Sequence, residues 1–398
     1  MTPWDFRFEL VDRPEQFDNL KTEWDRLLTN STADPLFCSH VWMRTWWNHF
    51  GDDGELRILT ARDAEDGRLV GIAPFFLRRI AAAELEAEMT GGVRPIIPTR
   101  GMKLRVLQPL GSGEVCADFV GFIAERGRAD EIWSALYTYF LREVGEFDLL
   151  DMTHVRDDEP GFESLQYAAM GGRNWRYRPL YQAPYSELPE GGYEAYLESL
   201  SKKSRYNARK KIKEIRIYHK VEHRFHDDAA TLPEAMDRFF DLHAQRWAAE
   251  GQTGVFASEK MAAFHRDFAA RALRLGWLRL GFLSLDDEPP IFATYAFHTG
   301  DAVYLYQQGS APVYPEFNLG YAALVFAIQD ACERGARRYE FLRGEADYKL
   351  HWAKNGHPLI QFLAGATFRG TRFFARSFIN TDPRVRRAVK RIVLRGRR

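Results

Sequence analysis

The sequence predicts a mixed α+β protein built as two domains in tandem. Three observations carry this. Strand and helix patterns run in two successive series of the same order: strand, helices, antiparallel strands, helix, strand. The second series holds three consecutive strands, residues 277–285, 291–298 and 302–308, whose links Asp286-Asp287 and Thr299-Gly300-Asp301 read as hairpins. And 398 residues exceed what one ordinary core encloses. The division falls near residues 185–200, giving domains over 1–188 and 189–370 and a basic amphipathic helix over 371–398.

In the first series, Phe6 to Val11 alternates as a strand, and Arg13-Pro14 opens a helix through Trp24, Leu27 and Leu28. Ser39 is placed to cap an aromatic-rich helix ending near Phe50. Strands over 56–62 and 68–77 flank an Asp66-Gly67 turn; Pro74, which lacks a ladder donor, marks the second as an edge or bulge. Residues 80–105, with Gly91, Gly92 and prolines 95 and 98, read as irregular. A Gly-rich turn then leads to an apolar strand ending at Ile123, followed by a helix over 129–143, a strand over 147–152, a helix over 160–170 and a strand over 175–184.

The second series opens with a helix over 193–200, and Ser201 leads into a strongly basic helix over 202–216. A strand over 221–225 precedes a helix over 232–249, whose Met236, Phe239, Phe240, His243 and Trp247 recur at helical spacing. Ser258 caps another helix. After the three-strand meander come a helix over 319–333, a strand from Arg338, and a last strand over 361–368.

Composition bounds the function. Lys plus Arg balance Asp plus Glu at 55 each, which argues against wholesale coating of nucleic acid while leaving local basic patches open. Cys38, Cys116 and Cys332 are far apart and form no CxxC, so a zinc knuckle is excluded and reduced, buried thiols are expected. No run reaches the ~18 apolar residues of a spanning helix, and the N-terminus lacks the basic-then-apolar order of a signal peptide. A cytoplasmic protein is expected. His219, His223 and His226 lack a carboxylate or thiol to complete a familiar set, so no metal is expected. His243, on an apolar stripe, reads as a core histidine.

Two regions stand out by charge. The basic helix sets Lys202, Lys203, Arg205 and their neighbours against Glu214 alone, and calls for a counter-charge: phosphate, anionic lipid, RNA or an acidic protein face. The tail carries Arg384, Arg386, Arg387, Lys390, Arg391, Arg395, Arg397 and Arg398 beside an apolar stripe, a pattern suited to peripheral contact with anionic membrane. A third region concentrates functional groups. From Arg343 to Trp352 the chain presents acids, cations, a phenol, an imidazole and an indole at the end of a strand, where polar groups converge on ligands. A solvated turn with a local ion-pair network is the competing reading.

The segment Phe341-Leu-Arg-Gly-Glu-Ala-Asp-Tyr-Lys-Leu-His-Trp352, with the basic helix Ser201-Lys-Lys-Ser-Arg-Tyr-Asn-Ala-Arg-Lys-Lys, the meander and the Gly320-containing helix, resembles the acetyltransferase-like domain of the CelD (cellulose biosynthesis) and BioF2-like group. That group belongs to the GNAT superfamily and is related to the FemAB aminoacyltransferases. The resemblance, strongest over residues 195–355, implies tandem GNAT-like domains, each a mostly antiparallel central sheet flanked by helices. It implies acyl transfer from a thioester, acetyl-CoA or another acyl-CoA, to an amine or hydroxyl, with a small-molecule or glycan-precursor acceptor. One departure stands out. Where GNAT proteins carry a glycine-rich phosphate loop, this chain reads Gly309 to Gly320 with Pro312 and Pro315, which remove donors. An acyl carrier protein, aminoacyl-tRNA as in the FemAB relatives, or a silent scaffold therefore stay open.

Acyl transfer to an amine needs a proton acceptor, donors for the oxyanion and an acid for the leaving thiolate. Glu345 or Asp347 is assigned the first role and Tyr348 the last. Lys349 and Arg343 bind phosphate or carboxylate, Gln308 supplies an amide donor, and Trp352 stacks on a ring. Lys202, Lys203 and Arg205 are assigned to binding of substrate or cofactor.

Overall fold

The computed structural model describes residues 5–90, 101–115, 117–144, 146–170, 175–344 and 346–381. Contacts divide the chain into two compact units, the first comprising Met1–Ser112, Phe119–Leu180 and Ile360–Arg398, the second Gly113–Asp118 and Tyr181–Leu359.

The first unit contains β1 (Phe6–Val11), α1 (Pro14–Asn19), α2 (Lys21–Thr29), α3 (His40–Phe50), β2 (Gly54–Asp63), β3 (Leu69–Ala81), α4 (Ala82–Thr90), β4 (Lys103–Pro109), β5 (Ile123–Ala124), α5 (Ala129–Tyr139), β6 (Leu149–Arg156) and α6 (Phe162–Met170). Its sheet runs β1-β2-β3-β4-β6, antiparallel except that β4 and β6 are parallel. Ser39 caps α3 as expected, accepting from the Trp42 N–H. Three local expectations are corrected. Residues 82–90 form helix, because Ala-Ala-Glu-Leu-Glu-Ala-Glu is rich in strong helix formers; Gly91, Gly92 and the following prolines lie outside the described residues. The strand expected up to Ile123 is reduced to β5, since Phe119 is left-handed at φ 58° and breaks the extension. And Pro74 lies in an inner strand. On one side β3 changes partner there, from β5 at Ile72 to β4 at Phe75, so no ladder donor is missed.

The second unit contains β7 (Trp175–Glu187, through its residues 181–187), α7 (Gly192–Ser199), α8 (Lys202–Tyr218), β8 (Val221–Phe225), α9 (Leu232–Ala249), α10 (Glu259–Arg274), β9 (Leu278–Leu285), β10 (Phe292–Thr299), β11 (Ala302–Ser310), α11 (Leu319–Glu333), β12 (Arg338–Glu340) and α12 (Asp347–Trp352). β13 (Asn355–Gly365) and α13 (Phe368–Thr381) follow. The sheet order is β7-β12-β11-β10-β9-β8, with the meander antiparallel as its hairpin links require and β11–β12 parallel. The last strand of each series contributes to the other unit: residues 181–187 of β7 belong with the second unit, where residues 185–187 pair with β12, and residues 360–365 of β13 belong with the first.

Helices cover both faces of the second sheet. α11 lies on the side of Phe292, and a Cβ on Gly320 would stand 3.3 Å from that ring. α9 lies on the other, where Phe239 packs on Tyr295 at 5.0 Å and Gly309 lets the α9 backbone approach β11. His243 is buried there and accepts from the Trp247 indole at 2.9 Å, and burial holds its ring at about 4. Among the described residues no helix is long and apolar enough to cross a membrane. The tail beyond residue 381 lies outside them.

Candidate active site

Two features of β11 shape the site. Its register with β10 steps from Tyr295↔Gln307 to Ala296↔Leu305, so Tyr306 is an extra residue. After this bulge Gln307 meets His243, while Gln308, opposite Thr294, looks toward the α11 side. β11 also parts from its parallel neighbour. Pairing with β12 ends at Tyr304↔Glu340, while β11 continues to Ser310. β12 stops because Leu342 and Gly344 take positive φ, 57° and 100°, which an extended strand does not tolerate. The segment read as a loop then turns into the short helix α12.

Beside this parting lies a cavity of about 390 Å³. Gln308, Phe292, Tyr348 and Trp352 form part of its wall; Asn318, Gly320 and Tyr321 come from the start of α11, and Asn207, Lys211 and Arg246 from α8 and α9. Lys211, Arg246 and His351 are its ionisable nitrogen groups, and no Asp or Glu is among the described lining residues. This described lining suits a neutral or anionic ligand.

Its polar groups are poised. Gln308 is 5% exposed and its side-chain nitrogen has no hydrogen-bond partner among the described residues. An amide left so is costly unless a ligand or water satisfies it. The α11 cap, Asn318, is left-handed at φ 49° and its side chain makes no capping bond, and the Leu319 and Gly320 N–H groups have no backbone acceptor among the described residues. Burial pushes the Tyr348 phenol up, with Arg246 pulling it back, so it keeps its proton at neutral pH. Tyr321 stacks obliquely on Trp352, ring centroids 4.7 Å apart.

The structure brings Tyr348, Gln308 and Trp352 to one cavity, and Arg343, Lys349, Lys202, Lys203 and Arg205 are not among its described lining residues. Trp352 is 2% exposed and serves as wall rather than as an open stacking platform. Arg343 pairs with Asp118, Nε to Oδ1 2.9 Å. Lys349 donates to the Leu342 and Arg343 carbonyls at 3.2 and 2.6 Å, and burial lowers its ammonium to about 8. Lys202 and Lys203 are exposed, and Arg205 donates to the Glu198 carbonyl at 3.1 Å. Glu345 and the Asp347 side chain lie outside the described residues. Sequence reasoning missed Asn207, Lys211, Arg246, Asn318 and Tyr321. A signal for two of them exists: Ala208, Ile212 and Ile215 make the buried stripe of α8, which puts Asn207 and Lys211 on its flank. Among the described residues no His, Cys, Asp and Glu converge as a metal site.

Residues 202–350 match the family described as the acetyltransferase (GNAT) domain. No curated protein matches the chain. Among solved structures it is similar to FemX, at 11% identity and a TM-score of 0.57, over 86% of this chain and 95% of that one. It is also similar to a conserved protein of unknown function from Bacteroides thetaiotaomicron, at 10% identity and a TM-score of 0.52, over 90% of this chain and all of that one. At these identities the likeness is one of fold.

Proposed function

We propose that the second unit is a GNAT-type acyltransferase whose cavity beside the β11–β12 parting receives an acyl thioester and its acceptor. One observation carries the reading: a buried Gln308 side-chain nitrogen with no partner among the described residues, in the wall of a cavity that also gathers Tyr348, two cations and the start of α11. An acyl-CoA fits this set. Lys211, Arg246 and the Leu319 and Gly320 N–H groups would hold its phosphates, although Pro312 and Pro315 shorten the run of backbone donors before α11.

When bound, the thioester supplies the activated acyl group. The Gln308 amide donates to the carbonyl oxygen as negative charge grows there. Tyr348, kept neutral by burial, carries the proton that the departing sulfur takes. We assign Glu345 and Asp347 to the proton of the incoming amine. The acceptor we favour is an amine or hydroxyl on a glycan precursor, in line with the resemblance of Phe341–Trp352 to the CelD group.

Calorimetry and thermal shift against acetyl-CoA, longer acyl-CoAs and tRNA test it. Saturable stabilisation by an acyl-CoA, weakened by Arg246→Ala, is expected. Salt-sensitive tRNA binding with no acyl-CoA binding would instead favour an aminoacyl-tRNA donor, and indifference to all three would favour a scaffold.

A further inference from the structure

α8 has a second face that the transferase reading does not use. While Ala208, Ile212 and Ile215 point inward, Tyr206, Lys210, Lys213 and Ile217 follow one another at i, i+4, i+7 and i+11, a single outward stripe. Tyr206, Ile217 and the adjacent Tyr218 are 61%, 66% and 71% exposed, and their grouping on one face makes them a contiguous apolar patch. The helix holds eight Lys and Arg against Glu214, which is taken up by Lys210 and Lys211 at 3.2 Å each. Lys202, Lys203, Lys213 and Arg216 have no acidic partner among the described residues. The turn before α11 extends the surface: Val313 and Tyr314 are exposed, Tyr314 lies 5.1 Å from the His219 ring, and Phe317 lies 6.0 Å from Tyr218. Asn207 and Lys211 of α8 and Asn318 after the turn line the cavity, so this surface adjoins it.

We propose that this face docks on an anionic lipid bilayer. The cations alone fit any polyanion; the apolar side chains decide. A bilayer takes Ile217, Val313 and the tyrosine rings into its headgroup layer while the lysines reach lipid phosphates. An RNA would meet the lysines and stack on the tyrosines, yet leave Ile217 and Val313 in water. The inference goes beyond the transferase reading and stands or falls without it.

Sedimentation of the full chain with phosphatidylcholine vesicles, with and without phosphatidylglycerol, tests it. Binding is expected only with the anionic lipid, weakening with salt and falling about tenfold or more in the triple variant Tyr206→Ser, Ile217→Ser, Tyr218→Ser. Those side chains are exposed, and an unchanged melting curve checks that the variant is folded. The proposal is overturned by absence of binding, by equal binding to neutral vesicles, by retention of an RNA in place of vesicles, or by a triple variant that sediments like its parent. In that last case the basic segment 384–398, kept in both, holds the lipid.

Discussion

The Arg343 guanidinium and the Asp118 carboxylate meet at 2.9 Å, and Asp118 Oδ2 also accepts from the Arg343 backbone N–H at 2.8 Å. Asp118 is fully buried, and the pair ties the short Gly113–Asp118 segment to the turn after β12. Burial pushes the carboxyl up, and the Arg343 guanidinium beside it pulls it part of the way back. The pair holds the turn that leads into α12 and Tyr348. Asp118→Ala is expected to cost about 3 kcal/mol, because it strands a half-buried guanidinium. The double variant Asp118→Leu, Arg343→Met should recover much of that. Urea unfolding midpoints of the three proteins check it, and a single variant as stable as the parent refutes it.

Lys349 yields a prediction with a definite sign. Its ammonium, largely buried, falls to about 8, whereas an unfolded chain keeps the ordinary value of 10.5. Below about pH 8 both states are protonated and the folded one bears the cost of burying charge. Between the two values the folded protein releases the proton first, so stability rises with pH. The stability of the parent relative to Lys349→Met should therefore grow as pH rises from about 8 to 10, by at most about 3 kcal/mol. A difference that stays flat across that range would show that Lys349 titrates normally.

Periodic elements were the legible part of the fold. β8, α9 and α11 match their expected residues, the two helices because apolar side chains recur in them at helical spacing. What stayed hidden depends on distant partners or on backbone angles. Nothing local announces that residues 185–187 pair with β12, that Arg343 has Asp118 as its partner, or that Leu342 sits at φ 57°. The candidate site was legible in outline for the same reason. The segment ending in Trp352 drew attention by composition, but only the parting of β11 from β12 separates Tyr348, which faces the cavity, from Lys349, which turns back to cap carbonyls. Arg246 sits on a helix whose apolar stripe concealed it.

Gly309 shows how tightly the cavity strand is held from behind. A Cβ there would stand 2.5 Å from the His243 nitrogen and 2.8 Å from the Leu242 carbonyl carbon, both backbone atoms of α9. A helix backbone yields only by moving as a whole. Gly309→Ala is therefore expected to destabilise by about 1–3 kcal/mol and to displace the neighbouring Gln308. Lowered thermal stability together with weaker acyl-CoA binding checks both parts; a variant that melts like the parent would refute the close approach.

Gln308 and Tyr348 are separable by kinetics once an acceptor is in hand. An amide that donates to the carbonyl chiefly as charge develops should affect turnover more than binding, so Gln308→Leu is expected to lower kcat about 100-fold with KM nearly unchanged. Tyr348→Phe keeps the ring in the cavity wall and removes only the hydroxyl, so packing and affinity should survive while kcat falls about 100-fold. A donor with a more acidic leaving thiol needs less protonation and should regain part of that loss in Tyr348→Phe but not in Gln308→Leu. If both variants respond alike to the better leaving group, Tyr348 is not the acid and serves as wall, like Trp352 beside it.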